Sequence, residues 1–401
     1  MVIKNLKELY PEDWTEYKFN DLFKFDGGMA LSRAKLSNEG ICYLHYGDIH
    51  KSKDNYIDVE KSFDSIPKIN TSIENINDKY ILNDGDIVFA DASEDYEGIG
   101  KSVVIINKSN IPFVSGLHTI IARDKKSLLD NSYKRFFLSD WNIRKQIMIL
   151  ASGISVYGIS RENIKSVKVF LPPLREQKKI AAILATWDKA IELKEKLIEQ
   201  KKELKKGLMQ KLLTGEVRVP GFNGEWKEYR LGTLSEISTG NKDTKDKVEN
   251  GSYPFFVRSE KIERINSYSY DGEAILIPGD GNVGKIYHYI NGKFDFHQRV
   301  YKISDFNNKC IGKFIYYYLQ QYFYREAMKY SAKATVDSLR LPMLTDMIIR
   351  LPEIPEQIAI VKILDAADKE ISFLNQELEK LNLQKKGLMQ LLLTGKVRVK
   401  V

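Results

Sequence analysis

Residues 171–219 and 351–399 are two copies of one segment, and that repetition limits the architectures open to this chain more than any other feature. The copies align without a gap at a constant shift of 180 residues, with about half the positions identical. Lys205-Lys206-Gly207-Leu208-Met209-Gln210 and Lys385-Lys386-Gly387-Leu388-Met389-Gln390 match throughout. A self-similar period is best found before any local reading, because it dictates the whole plan. Each copy opens on prolines (Pro172 and Pro173; Pro352 and Pro355), which suit a first helical turn where the missing N–H would be unpaired anyway. Each closes on Thr-Gly, with Gly215 or Gly395 in a helix-terminating position, before Val-Arg-Val.

In the second copy Leu364, Ala367, Ile371, Leu374, Leu378, Leu381, Leu388 and Leu392 keep three- and four-residue spacing, broken only at Lys385. In the first, Leu184, Trp187, Ile191, Ile198, Leu208 and Leu212 follow the same register, interrupted by Lys194, Lys201 and Lys205. Neither stripe is complete, so each helix needs a partner, and the expected partner is the other copy. A helix of about 40 residues would be roughly 60 Å long at 1.5 Å per residue. Gly207 and Gly387 lie inside these helices, where glycine costs about 1 kcal/mol relative to alanine. Their presence in both copies predicts close backbone approach, either of helix to helix or of helix to a partner protein.

The intervening segments share a looser plan. Both begin Trp-x-x-aromatic (Trp14 to Tyr17; Trp226 to Tyr229) and reach a Gly-bearing turn at Gly27-Gly28 or Gly240. Each then has a Gly-bounded β-like run, a loop carrying Gly-Lys or Gly-x-Gly-Lys, and a histidine (His118; His297) entering an alternating stretch. An aromatic helical piece and a final strand lead into the repeat. The expectation is an α+β chain: two mixed domains at 1–170 and 220–350, separated by long antiparallel coiled-coil helices at 171–219 and 351–401.

Composition narrows the function classes. Only Cys42 and Cys310 occur, without metal-ligand spacing. No apolar run approaches the roughly 18 residues of a membrane span, and the first residues lack the apolar core of a signal peptide. A soluble chain of a reducing compartment, the cytoplasm, is expected. The net charge of +8 invites a nucleic-acid reading, yet residues 1–170 carry 23 basic and 24 acidic side chains, against 12 and 7 in the first repeat. Much of the excess therefore lies on a helix, where a solvated face explains it as well as a phosphate track does. Gly279 to Gly284 satisfies G-x-G-x-x-G, but the residues after it read as a strand, and a dinucleotide site needs a helix there.

The Leu-Pro-x-x-x-Glu-Gln start (Glu176-Gln177; Glu356-Gln357), the long helix and the Gly-Leu-Met-Gln-x-Leu-Leu-Thr-Gly-x-Val-Arg-Val end resemble the specificity subunit of type I restriction–modification systems. The resemblance implies two target-recognition domains, each reading half of a split double-stranded DNA sequence, with the helices setting the gap. It implies assembly with two modification subunits and with restriction subunits, which would hold S-adenosylmethionine and ATP. No catalytic, cofactor or metal residue is then expected on this chain. A coiled-coil scaffold displaying two protein-binding domains is the rival reading.

Base readout favours Arg or Lys on guanine and Asn or Gln on adenine, with other polar contacts fixing register. The loop candidates are Arg33, Lys35, Tyr46, Lys101, His118, Ser155 and Tyr157 in the first domain. In the second they are Lys242, Lys245, Arg258, Asn282, Lys285, His297, Arg299 and Lys333. Helix packing and partner docking are expected of Leu184, Trp187, Ile191, Ile198, Gly207, Leu208, Leu364, Ile371, Leu374, Leu378, Leu381, Gly387 and Leu388.

Overall fold

The structure is a computed structural model that describes residues 6–281, 283–330 and 338–400. Its contacts divide the chain into two units, Met1–Leu193 with Leu378–Val401, and Lys194–Glu377. The long helices, Leu174–Leu212 and Ile354–Leu393, are therefore not domains of their own. Each unit holds one α+β domain, the amino-terminal half of the helix that follows it, and the carboxyl-terminal half of the other helix.

In the first unit a five-stranded sheet runs in the order Phe23–Gly27, Thr119–Asp124, Ile87–Ala90, Ser102–Ile106, Tyr56–Asp58. Its pairs are antiparallel except the last. A three-stranded sheet, Lys68–Ile69, Ile41–Leu44 and Phe113–Ser115, packs beside it. The aromatic helical piece is two helices, Asn131–Phe137 and Trp141–Leu150, because Asp140 caps the second one by accepting from Asn142 N. In the second unit a six-stranded sheet runs Glu236–Thr239, Val300–Ser304, Tyr270–Pro278, His288–Phe296, Tyr253–Phe256, Ile262–Ile265. One helix, Gly312–Met328, covers it and buries Phe314, Tyr317, Tyr318 and Phe323. Both domains are closed by the same device: the strand that starts just after the opening Trp, Thr15–Lys18 or Lys227–Arg230, pairs antiparallel with the strand before the long helix. Tyr17 lies opposite Val169, and Tyr229 opposite Ile349.

Within each unit the helix halves run antiparallel, and the expected seam is where they meet. Leu184, Ile198, Leu364 and Leu374 are buried, while Trp187, Ile191, Leu208, Ile371, Leu378, Leu381 and Leu388 are half-buried. The lysines that interrupt the seam have a common explanation. Lys194 meets Glu377 at 3.0 Å, Lys201 meets Glu370 at 2.6 Å, and Lys205 meets Asp368 at 2.6 Å, all in the second unit. In the first unit Lys385 pairs with Asp188, the counterparts of Lys205 and Asp368 under the repeat shift. A long lysine stem packs along the seam and its ammonium reaches a carboxylate across it.

The motif residues that define the repeat close each unit. Gln177 Oε1 accepts from Asp130 N, and its amide donates to Leu128 O and Pro172 O, all at 2.9 Å. Gln357 repeats this on Ile311 N, Lys309 O and Pro352 O, at 2.8–2.9 Å. Glu176 accepts from Arg398, and Glu356 from Arg218, so the Val-Arg-Val end of each copy binds the Glu of the other. Gly395, at φ +67°, lies under Pro11 and Trp14, while Gly215, at φ +74°, lies under Trp226.

One of the two alternatives expected for the helix glycines fails. Among the described residues, and apart from its own helix's neighbouring backbone, nothing lies within 4 Å of where a Cβ on Gly207 or Gly387 would stand, so close approach of helix to helix does not account for these glycines. Gly387→Ala is accordingly expected to stabilise the chain by up to about 1 kcal/mol, read by chemical denaturation; a loss would show that a Cβ is resisted there. Glu356 is only 2% exposed, so Arg218→Met should destabilise by about 3 kcal/mol by leaving a buried carboxylate unpaired. Replacing both Arg218 and Glu356 by Met should recover most of that loss in a double-mutant cycle.

Candidate nucleic-acid interface

In each unit the loops at one end of the central strands gather polar side chains on a tightly stitched backbone. In the first unit, Gly28 N donates to Thr119 O at 3.1 Å, and a Cβ on Gly28 would stand 1.7 Å from Gly116 O, so only glycine fits. The buried Tyr43 ties these loops together, donating to Met29 O at 2.9 Å and accepting from Leu117 N at 3.0 Å. This places His118 at φ +59°, a conformation costly for a non-glycine residue. Its half-exposed ring has Nδ1 3.1 Å from Asp91 Oδ1, and Tyr46 meets it edge-on at 5.4 Å. His45 stands beside Tyr46; burial is the main influence holding its imidazole below the usual pKa, and its Nδ1 accepts from Gly47 N. Arg33, exposed on the 3₁₀ turn Arg33–Lys35, lies over Gly47, and the Arg161 guanidinium lies 4.0 Å from where a Gly27 Cβ would be.

The second unit repeats the stitching with other side chains. A Cβ on Gly240 would stand 2.0 Å from Phe296 O. Asp91 N donates to His118 O and Ile159 N to Asp91 O in the first unit; Gly279 N donates to Arg299 O and Leu339 N to Gly279 O in the second. Arg299 therefore holds the place of His118, and Asp280, one residue past the stitched position, holds that of Asp91. Asp280 accepts from Arg299 Nη1 at 2.8 Å and Arg258 Nη1 at 3.1 Å, at the rim of an open cleft of about 590 Å³ shared with Thr244, Val257 and Glu263. Partial burial pushes the Asp280 carboxyl up, but the bonds from Arg299 and Arg258 outweigh it and hold it below the ordinary carboxylate value. His297, 3% exposed, accepts from Arg299 N through Nδ1; burial first and Arg258 second keep its imidazole below the usual pKa.

Of the residues singled out by sequence, Arg33, Tyr46 and His118 come together on one edge. So does the loop of Ser155 and Tyr157, since Tyr157 pairs with Ser93 and Gly158 with Ala92, next to Asp91. Lys35 is exposed on the turn of Arg33. In the second unit Lys242, Arg258, His297 and Arg299 converge: Lys242 pairs with His297 and its carbonyl accepts from Gln298 N. Lys245 is exposed on the adjoining 3₁₀ turn Thr244–Asp246. Lys101 belongs to the framework instead, its ammonium donating to His50 O and Ser52 O, and burial pulls it below the lysine range. Lys285 lies beside the helix, 5.9 Å over the Tyr324 ring. Asn282 and Lys333 fall outside the described residues.

Sequence reasoning missed Asp91, Asp280, His45 and Arg161. Only Asp280 carried a signal, between two glycines of the loop set aside as a cofactor motif, and the strand that follows, His288–Phe296, agrees with setting it aside. Among the described residues no group of three or more His, Cys, Asp or Glu is placed to hold a metal, and no helix is long and apolar enough to cross a membrane.

The Asp280 shift has a testable sign. A carboxyl whose folded pKa is lowered contributes stability above its unfolded pKa of about 3.9, and that contribution disappears as pH falls through the folded value. Asp280→Asn should therefore melt lower than the wild type near pH 6, and the gap should close in acid; a gap unchanged from pH 6 to pH 3 would contradict the ion-pair account.

Comparison with known proteins accords with this architecture. The family described as the type I restriction modification DNA specificity domain matches residues 11–203 and 223–383. The chain is 25% identical over 444 residues to the MjaVIII type I restriction enzyme specificity subunit of Methanocaldococcus jannaschii, covering 99% of this chain and 97% of that one. It is 31% identical over 170 residues to the EcoDI specificity subunit of Escherichia coli, covering 42% of this chain and 37% of that protein. Among solved structures, a chain from a type I restriction–modification assembly superposes with a TM-score of 0.63 at 14% identity, covering 97% of this chain and 99% of that one. The match in both halves, joined to two copies of the helical repeat and two equivalently stitched polar edges, makes this chain a member of the type I restriction–modification specificity subunit family.

Proposed function

We propose that each unit reads one half of a bipartite double-stranded DNA target through its polar edge, and that the chain contributes recognition while partner subunits perform the chemistry. The observation that carries this reading is the pair of equivalent edges: one backbone framework presents His118 with Asp91 in one unit, and Arg299 and Arg258 with Asp280 in the other. A shared frame with different side chains is what two readers of different sequences require. An arginine offers guanine O6 and N7 a bidentate fork, and a carboxylate that fixes its orientation lowers the ordering cost of using it. His118 and Tyr46 offer the other half-site a different donor set, while Lys35 and Lys245 are placed for phosphates.

The long helices supply the spacing. At 1.5 Å per residue, a helix of 39 residues extends roughly 58 Å, enough to bridge half-sites one DNA turn apart, about 34 Å. Two modification subunits would dock along these helices, with Gly207 and Gly387 offering bare backbone, and restriction subunits would complete the assembly. S-adenosylmethionine and ATP would be held by those partners, in the cytoplasm.

The test is selection of bound sequences from random duplexes by this chain assembled with its cognate methyltransferase. A split motif is expected, and its absence would refute the reading. Arg299→Ala should then relax one position of one half-site, by roughly 10- to 100-fold in discrimination. Lys35→Ala should weaken all sequences alike and reduce the slope of log affinity against log salt by about 1. Arg299→Ala altering both half-sites would contradict independent reading.

A further inference from the structure

Residues 153–157 form a small closed prong on the first unit's polar edge. Ser152 N donates to Gly158 O at 3.0 Å and Gly158 N to Ser152 O at 2.7 Å, an antiparallel bridge that pinches the loop at its base. Gly153, at φ +135°, allows the turn, since a Cβ there would stand 2.0 Å from Val156 O. Tyr157 pairs with Ser93 and meets Tyr96 edge-on at 5.3 Å, so the stem is anchored. Ile159 N bonds to Asp91 O, and Asp91 holds His118. On this anchored stem Ile154 is 95% exposed and Val156 58% exposed. A hydrogen-bonded stem thus presents two aliphatic side chains to solvent and is joined through Asp91 to His118.

We propose that Ile154, supported by Val156, reads the C5-methyl group of a thymine in the major groove of the first unit's half-site. Of the four bases only thymine presents an apolar group on a groove edge, so a projecting aliphatic tip among hydrogen-bonding side chains has one base to recognise. The major groove, about 12 Å wide, admits a two-stranded ribbon such as this pinched loop, whereas the minor groove, about 6 Å wide, does not. The contact adds to specificity what the donors on this edge leave undetermined, because it distinguishes a thymine from a base with the same acceptor pattern and no methyl. The inference rests on the DNA-reading function proposed above.

The experiment uses the full chain assembled with its methyltransferase partners and the split target selected by the wild type. Each thymine is replaced in turn by deoxyuridine, which removes only the methyl. The wild-type complex should lose about four-fold in affinity at one thymine of the first unit's half-site, the worth of one buried methyl. Ile154→Ser should bind the thymine target about as weakly as the wild type binds the deoxyuridine one, and should no longer distinguish the two. Arg299→Ala should leave the methyl dependence intact. Ile154→Val, which keeps an aliphatic tip, should keep part of it.

Five results would overturn the proposal. The first is a half-site without thymine, and the second is the lack of any deoxyuridine effect that Ile154→Ser abolishes. Ile154→Ser could instead impair assembly with the methyltransferase while base preference stays the same, which would make the prong a protein contact. A rise in 2-aminopurine fluorescence that depends on Ile154 would make it an intercalating wedge. If the wild-type complex selects no sequence at all, the DNA-reading function itself falls, and that outcome is read before any substitution is made.

Discussion

The fold depends on one crossed ion pair made twice. Arg218 reaches Glu356 and Arg398 reaches Glu176, each bond joining the end of one helical repeat to the start of the other. Both glutamates are at most 2% exposed, and an unpaired carboxylate so buried would be strongly destabilising. The neighbouring Gln177 and Gln357 satisfy two carbonyls and a backbone N–H apiece, binding the helix start to the loop that precedes the domain's own helix. Each unit is thus fixed at a single point, where domain, helix start and the opposite helix's end converge. That requirement accounts for the identity of Leu-Pro-x-x-x-Glu-Gln and Val-Arg-Val in both copies, while the domains they frame have diverged.

The helices between these points follow a different rule. Lys194, Lys201, Lys205 and Lys385 look like defects in an apolar seam, yet each is matched by a carboxylate across the antiparallel pair. Such pairs are partly exposed and individually worth little. Their value lies in register: a helix slipped by one turn would leave lysines facing leucines. The basic excess of the first repeat therefore has a structural use, and part of the chain's net charge is already paired within the fold rather than free to face phosphate.

The polar edges set different side chains on equivalent backbone in the two units. Backbone hydrogen bonds at Asp91 and Gly279 fix where His118 and Arg299 sit, and a carboxylate at or next to that position fixes how each points. The frame needs glycine where two loops touch, at Gly28 and Gly240, and accepts histidine in one unit and arginine in the other at the stitched position. His118 accepts a left-handed backbone to occupy its place, a strain that the surrounding bonds impose.

Much was legible in the sequence. Its repeat gave the two-domain plan and the spacing of leucines gave the seam, because these signals are local or periodic and need no knowledge of distant contacts. The helix glycines were misjudged for helix packing because spacing reports position along the helix but not whether another backbone arrives there. Lys101 looked like a free loop cation until the fold supplied His50 O and Ser52 O. Only tertiary structure could join Asp91 to His118 and Asp280 to two arginines, since these pairs form by strands meeting across a sheet, at separations that no sequence pattern encodes. The sequence by itself determined that there are two of everything. The tertiary structure decided that each half is completed by the end of the other's helix, because a buried carboxylate will accept only the cation that the fold brings to it.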